Sequence, residues 1–198
     1  MNTAYDPVFD FDVRRTVILG EYIKAWGIPK YRKVTSKGAF RVEAYYFPPS
    51  DGLVGRFATV GVSDYLRSDG ARTNWEFLMV LPSDNAGASN DEVYSFMFDY
   101  MAHTLKRDAN LEVGSAMDES PIAPRSWKAR GLLIDQPHGE PEFLEHIHFN
   151  SQCIQLFWLA PIHKAEYNSI VQHGLVKFDA AVQASEWSLA DPSRDSFI

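Results

Sequence analysis

The residues of this chain that could do chemistry are few and scattered. His146 and His148 stand two apart, a spacing that turns both imidazoles to one face of a strand. With a third ligand, His138 or His163, they would form a metal site. No His-Glu-x-x-His run accompanies them, and Ile147 and Phe149 take the buried side of the same strand, which leaves both histidines facing solvent. Glu140, Glu142 and Glu145 precede the pair, and Asp6, Asp10 and Asp12 form a second acidic group. Acid–base catalysis by paired carboxyls needs an apolar setting that raises one pKa. Both groups sit in polar stretches and read as solvated faces. Glu76 differs, because it lies inside an apolar run where a carboxylate must be paired or protonated. Structural pairing with an Arg or Lys is favoured over catalysis. Cys153 falls in an apolar strand and reads as a small buried hydrophobe rather than a nucleophile. Ser63, in Gly61-Val62-Ser63-Asp64-Tyr65, lacks the second glycine of a nucleophile elbow. Neither glycine-rich phosphate-binding pattern occurs. These residues supply no catalytic set, no metal and no cofactor.

The elements that must position them follow from hydrophobic periodicity. Met1 to Phe9 reads as a loose arm. A helix capped by Asp10 or Asp12 then runs to about Trp26, with Ile18, Tyr22, Ala25 and Trp26 on its apolar stripe. Residues 40–47 alternate as a half-buried strand, with Phe40, Val42, Ala44 and Tyr46 inward. Residues 56–63 form a second strand. The run 75–82 is apolar on both faces and reads as an interior strand stopped by Pro82. A helix capped by Asn90 or Asp91 extends to about Arg107, its apolar residues recurring at three and four. Residues 108–126 are irregular, with room for a short strand near Leu111 to Val113. Strands follow at 127–134, 145–149 and 153–159. A last helical stretch, 164 to about 187, is broken by Gly174, and the polar tail from Leu189 reads as frayed. This order lacks strict strand–helix alternation. It predicts an α+β fold, a mixed and largely antiparallel sheet flanked by helices, in a single domain over 1–198.

Composition narrows the function classes. Net charge is -7, from 26 acidic and 19 basic residues among 198. That balance argues against tracking nucleic-acid phosphates and allows a basic protein partner. One cysteine excludes a disulfide framework. No apolar run reaches the length of a membrane span, and the acidic start lacks the features of a secretory signal, so cytoplasmic residence is expected.

The order of segments resembles the suppressor of fused family. The run Trp75-Glu76-Phe77-Leu78-Met79-Val80-Leu81-Pro82 is followed by a helix through Tyr94, Phe98 and Leu105, and then by Gly114. Further matches are the stretch from Pro124 through Trp127 to Ile134, and Phe157-Trp158-Leu159-Ala160-Pro161-Ile162 followed by Glu166 and Gly174. The likeness covers roughly 40–187. It implies an α+β domain that binds other proteins and catalyses nothing. Animal members carry a further C-terminal region that this chain is too short to hold. Short bacterial members act as immunity proteins that neutralise polymorphic toxins. Phe77, Leu78, Pro82, Pro161 and Glu166 are signature matches and read as scaffold. The resemblance implies a protein partner, such as a cognate toxin domain with a basic surface, with Glu140, Glu142 and Glu145 as a candidate contact surface. The alternatives are a metal-dependent enzyme built on His146 and His148, and a regulator that sequesters another cellular protein.

Overall fold

The computed structural model describes residues 6–38, 40–50, 52–107 and 111–198. Helix α1 spans Pro7–Trp26 and is capped by Asp6, whose carboxylate accepts from the Val8 and Phe9 amides. The cap lies earlier than the expected Asp10 or Asp12, so residues 7–9 of the expected arm are helical, while residues 1–5 lie outside the described residues. Strand β1 (Tyr31–Lys37) follows, then β2 (Phe40–Phe47), β3 (Val54–Val60) and β4 (Trp75–Pro82). Helix α2 (Asn90–Lys106) starts at a capping box in which Ser89 and Glu92 bond reciprocally. Strands β5 (Ala116–Met117), β6 (Gly131–Asp135), β7 (His146–Phe149) and β8 (Gln152–Ile162) lead to helices α3 (Lys164–His173) and α4 (Leu175–Gln183), which Gly174 separates at φ 76°.

The strands form one eight-stranded sheet in the order β1-β2-β3-β4-β8-β6-β5. Every pairing is antiparallel except β4 with β8. Strand β8 has β4 along one edge, and β7 then β6 along the other, because Gln155 pairs with both Trp75 and His146. Two apolar layers enclose the sheet. On one face α2 packs Val93, Phe96, Met97, Tyr100 and Met101 over Val42, Phe57, Phe77 and Met79. On the other, Ile18 and Tyr22 of α1, Ile170 of α3 and Phe178 of α4 join Phe47, Val60, Leu78 and Trp158. The α+β expectation therefore holds, and β4 is interior as its two-faced apolar run requires.

Four local readings are corrected and one strand, β1, is added. Strand β2 is buried on both faces from Val42 onward, because α1 covers the side that includes Glu43, Tyr45 and Phe47. Strand β1 carries almost no buried residue, so no alternation announced it. In the irregular stretch the paired residues are Ala116 and Met117 rather than 111–113, and β6 begins only at Gly131, since Trp127 turns away to donate its indole N–H to the Asn85 carbonyl at 2.9 Å. The tail is docked. Lys128 and Ala129 donate to the Pro192 carbonyl, both at 2.9 Å, and Leu189, Ala190 and Arg194 are buried. Among the described residues no helix is long and apolar enough to cross a membrane.

Candidate functional site

Among the described residues three carboxylates are wholly buried, Glu43, Glu76 and Glu166, and the last two differ most in how they are satisfied. Glu76, on β4, is wholly enclosed. The turn after β3 reaches it by way of Gly61, whose φ of 107° belongs to the left-handed region and whose Cβ, if present, would strike the Arg41 carbonyl. This turn aims the Gly61, Val62 and Ser63 amides at the carboxylate, at 2.8, 3.2 and 3.0 Å. The Ser63 and Thr59 hydroxyls add two bonds of 2.7 Å. The expected Arg or Lys partner is replaced by five neutral donors, because the end of β3 and the turn after it bring three amides and two hydroxyls to the carboxylate, and Arg14 acts on it only through its field. Burial pushes the Glu76 carboxyl above the ordinary carboxylate value, and the donors pull against it. The Ser63 hydroxyl is spent as one of the donors that hold Glu76.

Glu166, on α3, has the opposite solution. Arg194 from the C-terminal tail pairs with it at 2.6 and 2.9 Å, with both side chains fully buried. The carboxylate also accepts from the His163 and Phe197 amides. Arg194 donates further to the Pro161 carbonyl at 3.1 Å and lies 3.8 Å from the Phe197 ring centroid. Burial alone would raise the Glu166 pKa, but the guanidinium and the two amides hold it below the ordinary carboxylate value. The signature residues Phe77, Leu78, Pro161 and Glu166 are thus all buried framework. Arg194 was invisible in sequence, since a lone cation in a polar tail carries no pattern.

The sequence-level candidates do not converge. His146 and His148 are exposed on one face of β7, with Ile147 and Phe149 buried as expected. His138 is exposed and 3.4 Å from Asp135, and the His163 ring contacts the Arg194 carbonyl at 3.0 Å. Among the described residues no group of three or more His, Cys, Asp or Glu side chains is placed to hold a metal ion. Cys153 is exposed, which corrects its reading as a buried hydrophobe: it lies before β4 joins β8 at Gln155 and pairs only with His148 of β7. The acidic trio divides. Glu140 is no solvated face, since its side chain is 4% exposed, accepts from Arg56 at 2.7 Å and the Trp26 indole at 2.6 Å, and so ties α1 to β3. Glu142 is exposed and Glu145 half-buried, and both line a shallow cleft of about 530 Å³ with Glu21, His146 and His148.

A deeper surface feature lies at the β5 edge. The second half of α2, strand β5 and the loop after it enclose an open cleft of about 510 Å³. Asp99, Asp118 and Glu119 line it, against Arg107 and His103. Asp118 pairs with Lys164, which holds its carboxyl below the ordinary value. Among the described residues strand β5 pairs with β6 alone, and Ala116 and Met117 line this cleft. The arrangement offers an apolar floor including Leu111 and Met117 and a rim on which Asp99 and Glu119 add to the paired Asp118 and outnumber Arg107, which suits recognition of a protein segment rather than bond-making.

The family model for the suppressor of fused protein matches residues 41–195. The chain belongs to the suppressor of fused family. No curated protein matches its sequence significantly. The fold is similar to a crystal structure of a suppressor of fused homolog from Neisseria gonorrhoeae, with TM-score 0.74 at 15% identity, covering 94% of this chain and 98% of that one. It is also similar to a chain of the Sufu–Fu complex, with TM-score 0.68 at 13% identity over 93% of this chain and 91% of that one. Drosophila Suppressor of Fused gives TM-score 0.67 at 12% identity, and the match covers 94% of this chain and 51% of that longer one. The suppressor of fused signature residues therefore mark a shared scaffold, and the surfaces around it are where members can differ.

Proposed function

We propose that this chain is a non-catalytic protein-docking domain that acts in the bacterial cytoplasm as an immunity protein and neutralises a cognate toxin carrying a basic surface. The single observation that carries the reading is the acidic cleft beside the β5 edge, in a chain of net charge -7. An acidic rim steers a basic partner toward it and raises the association rate. The suppressor of fused relative solved as the Sufu–Fu complex supports protein docking as the use of this scaffold. Glu142 and Glu145 form a second acidic surface on the same molecule and extend the field.

The test is co-expression with a toxin encoded beside this gene, followed by affinity capture and a growth-rescue assay. Capture of the toxin and rescue of growth are expected. Asp99→Lys with Glu119→Lys should weaken capture roughly tenfold and make the residual binding less sensitive to salt. Failure to capture or rescue, with folded protein, overturns the immunity reading.

A further inference from the structure

The opposite edge of the sheet is built differently. Strand β1 pairs with β2 alone, and its seven residues, Tyr31–Lys37, present an outer backbone edge that no described strand covers. A groove of about 240 Å³ opens beside its last residues, where β1 meets the second half of α2. Its floor is apolar: the Phe40 and Tyr65 rings meet edge to face at 5.2 Å, and Met101 and Leu105 complete it. Lys37 and Lys106 stand at its rim, exposed, and neither has an ion-pair partner among the described residues. The register places Thr35 and Lys37 on the α2 side of β1, opposite Val42 and Phe40. On the other side, Arg15, Arg32 and Arg41 all converge on Glu43, and Asp12 lies 3.9 Å from Arg15, so three cations face two carboxylates there.

We propose that the free edge of β1 and this groove form a docking site for an extended, acidic segment of a partner protein that carries an apolar side chain at the groove. A strand added beside β1 lies about 4.8 Å away and turns alternate side chains toward α2. Side chains on that side pass Thr35 and Lys37 and meet the groove, whose volume suits one or two side chains rather than a drug-sized molecule. Glutamates or aspartates two residues from the apolar one share its side and meet Lys37 and Lys106, and those next to it face Arg32 and Arg41. Lysines on an edge strand also discourage pairing between identical copies, because two such edges repel. The edge is therefore closed to a second copy of this chain and open to a strand of opposite charge. The inference rests on the reading of the chain as a protein-docking domain and gives it a second surface, of opposite sign to the acidic cleft.

The probe is a short fluorescent peptide, Val-Glu-Val-Leu-Val-Glu-Val, which puts the leucine and both glutamates on one face of the added strand, titrated by anisotropy onto the full chain. Saturable, salt-sensitive binding is expected, with slowed exchange of those amides within residues 35–37 that point away from β2. Lys37→Glu with Lys106→Glu should weaken it roughly tenfold or more, and Ala102→Trp, which fills the groove, should weaken it without altering its salt dependence. Glu142→Lys with Glu145→Lys, remote from this edge, should leave peptide affinity unreduced. Absence of binding, equal binding by the groove variants, or equal binding of a lysine-for-glutamate peptide overturns the proposal. So does a dimer of this chain that the double lysine reversal abolishes, since it would assign the edge to a second copy. Toxin capture without peptide binding sinks this inference alone, and peptide binding without toxin capture sinks the immunity reading alone.

Discussion

Glu76 and Glu166 are both fully buried glutamates in apolar surroundings, yet the protein stabilises them by different means. Glu76 accepts from five neutral donors, all within residues 59–63, where β3 ends and turns toward β4. Glu166 is matched by a single guanidinium, Arg194, which must travel with the C-terminal tail to reach it. The first solution spreads its energy over many bonds that survive one another's loss. The second concentrates it in one partner, so that removing Arg194 leaves a buried charge uncompensated. The difference teaches that a core carboxylate can serve as a local staple or as an anchor for distant chain, according to whether its partners are backbone amides nearby or a cation far along the sequence.

The largest expected effect follows from that asymmetry. Arg194→Ala should cost about 3–5 kcal/mol in urea denaturation, and should release the tail, which proteolysis after Lys128 or near Ser196 would detect. The paired change Glu166→Leu with Arg194→Met should recover more than half of the loss, because it removes the charge along with its partner. A smaller effect is expected at the staple: Glu76→Gln keeps the shape but turns an amide N–H₂ toward several donors, and should cost about 1–3 kcal/mol. The comparison fails if Glu76→Gln proves costlier than Arg194→Ala.

The smallest effect is the pH dependence, and its sign separates the two residues. Glu166 is held below the ordinary carboxylate value, so its contribution is complete above the unfolded value of about 4.3 and is lost as pH falls through its folded pKa. Glu76 is raised, so the folded state takes up its proton first, and stability declines as pH rises from the unfolded value to the raised folded one. Denaturation curves taken in steps across mild acid should therefore show Glu166→Gln flattening the acid-side loss of stability, and Glu76→Gln removing a slope of the opposite sign. Equal slopes in both variants would refute the assignment of opposite shifts.

The two sheet edges repeat the lesson at the surface. Strand β5 ends the sheet beside Asp99, Asp118 and Glu119, and β1 ends it among Arg32, Lys37 and Arg41. A net charge of -7 conceals both patches, because the sum over the chain says nothing of where each sign gathers.

How much was legible depends on the range of the interaction. Residues 75–82 announced an interior strand, because burial on two faces demands apolar residues at every position but the one occupied by Glu76. The family signature, from Phe77 to Glu166, was legible for the same reason: it records core packing. Glu76 stood out as a charge in an apolar run, but its donors did not, since every residue of a turn carries an amide. Strand β1 gave no signal, because an exposed edge imposes no hydrophobic period. Cys153 looked buried by its neighbours and is exposed because the sheet has not yet gained β4 at that height.

By itself the sequence determined the types of the buried elements, the breaks at Gly174 and Pro82, and the α+β class, all of which depend on patterns within a few turns of helix or strand. Only the tertiary structure decided that α1 covers the second face of β2, that Glu140 is locked to Arg56 and Trp26 while Glu142 stays in water, and that Arg194 closes on Glu166. Each of those outcomes is a contact between residues remote in the chain, and local patterning carries no information about which remote partner will arrive.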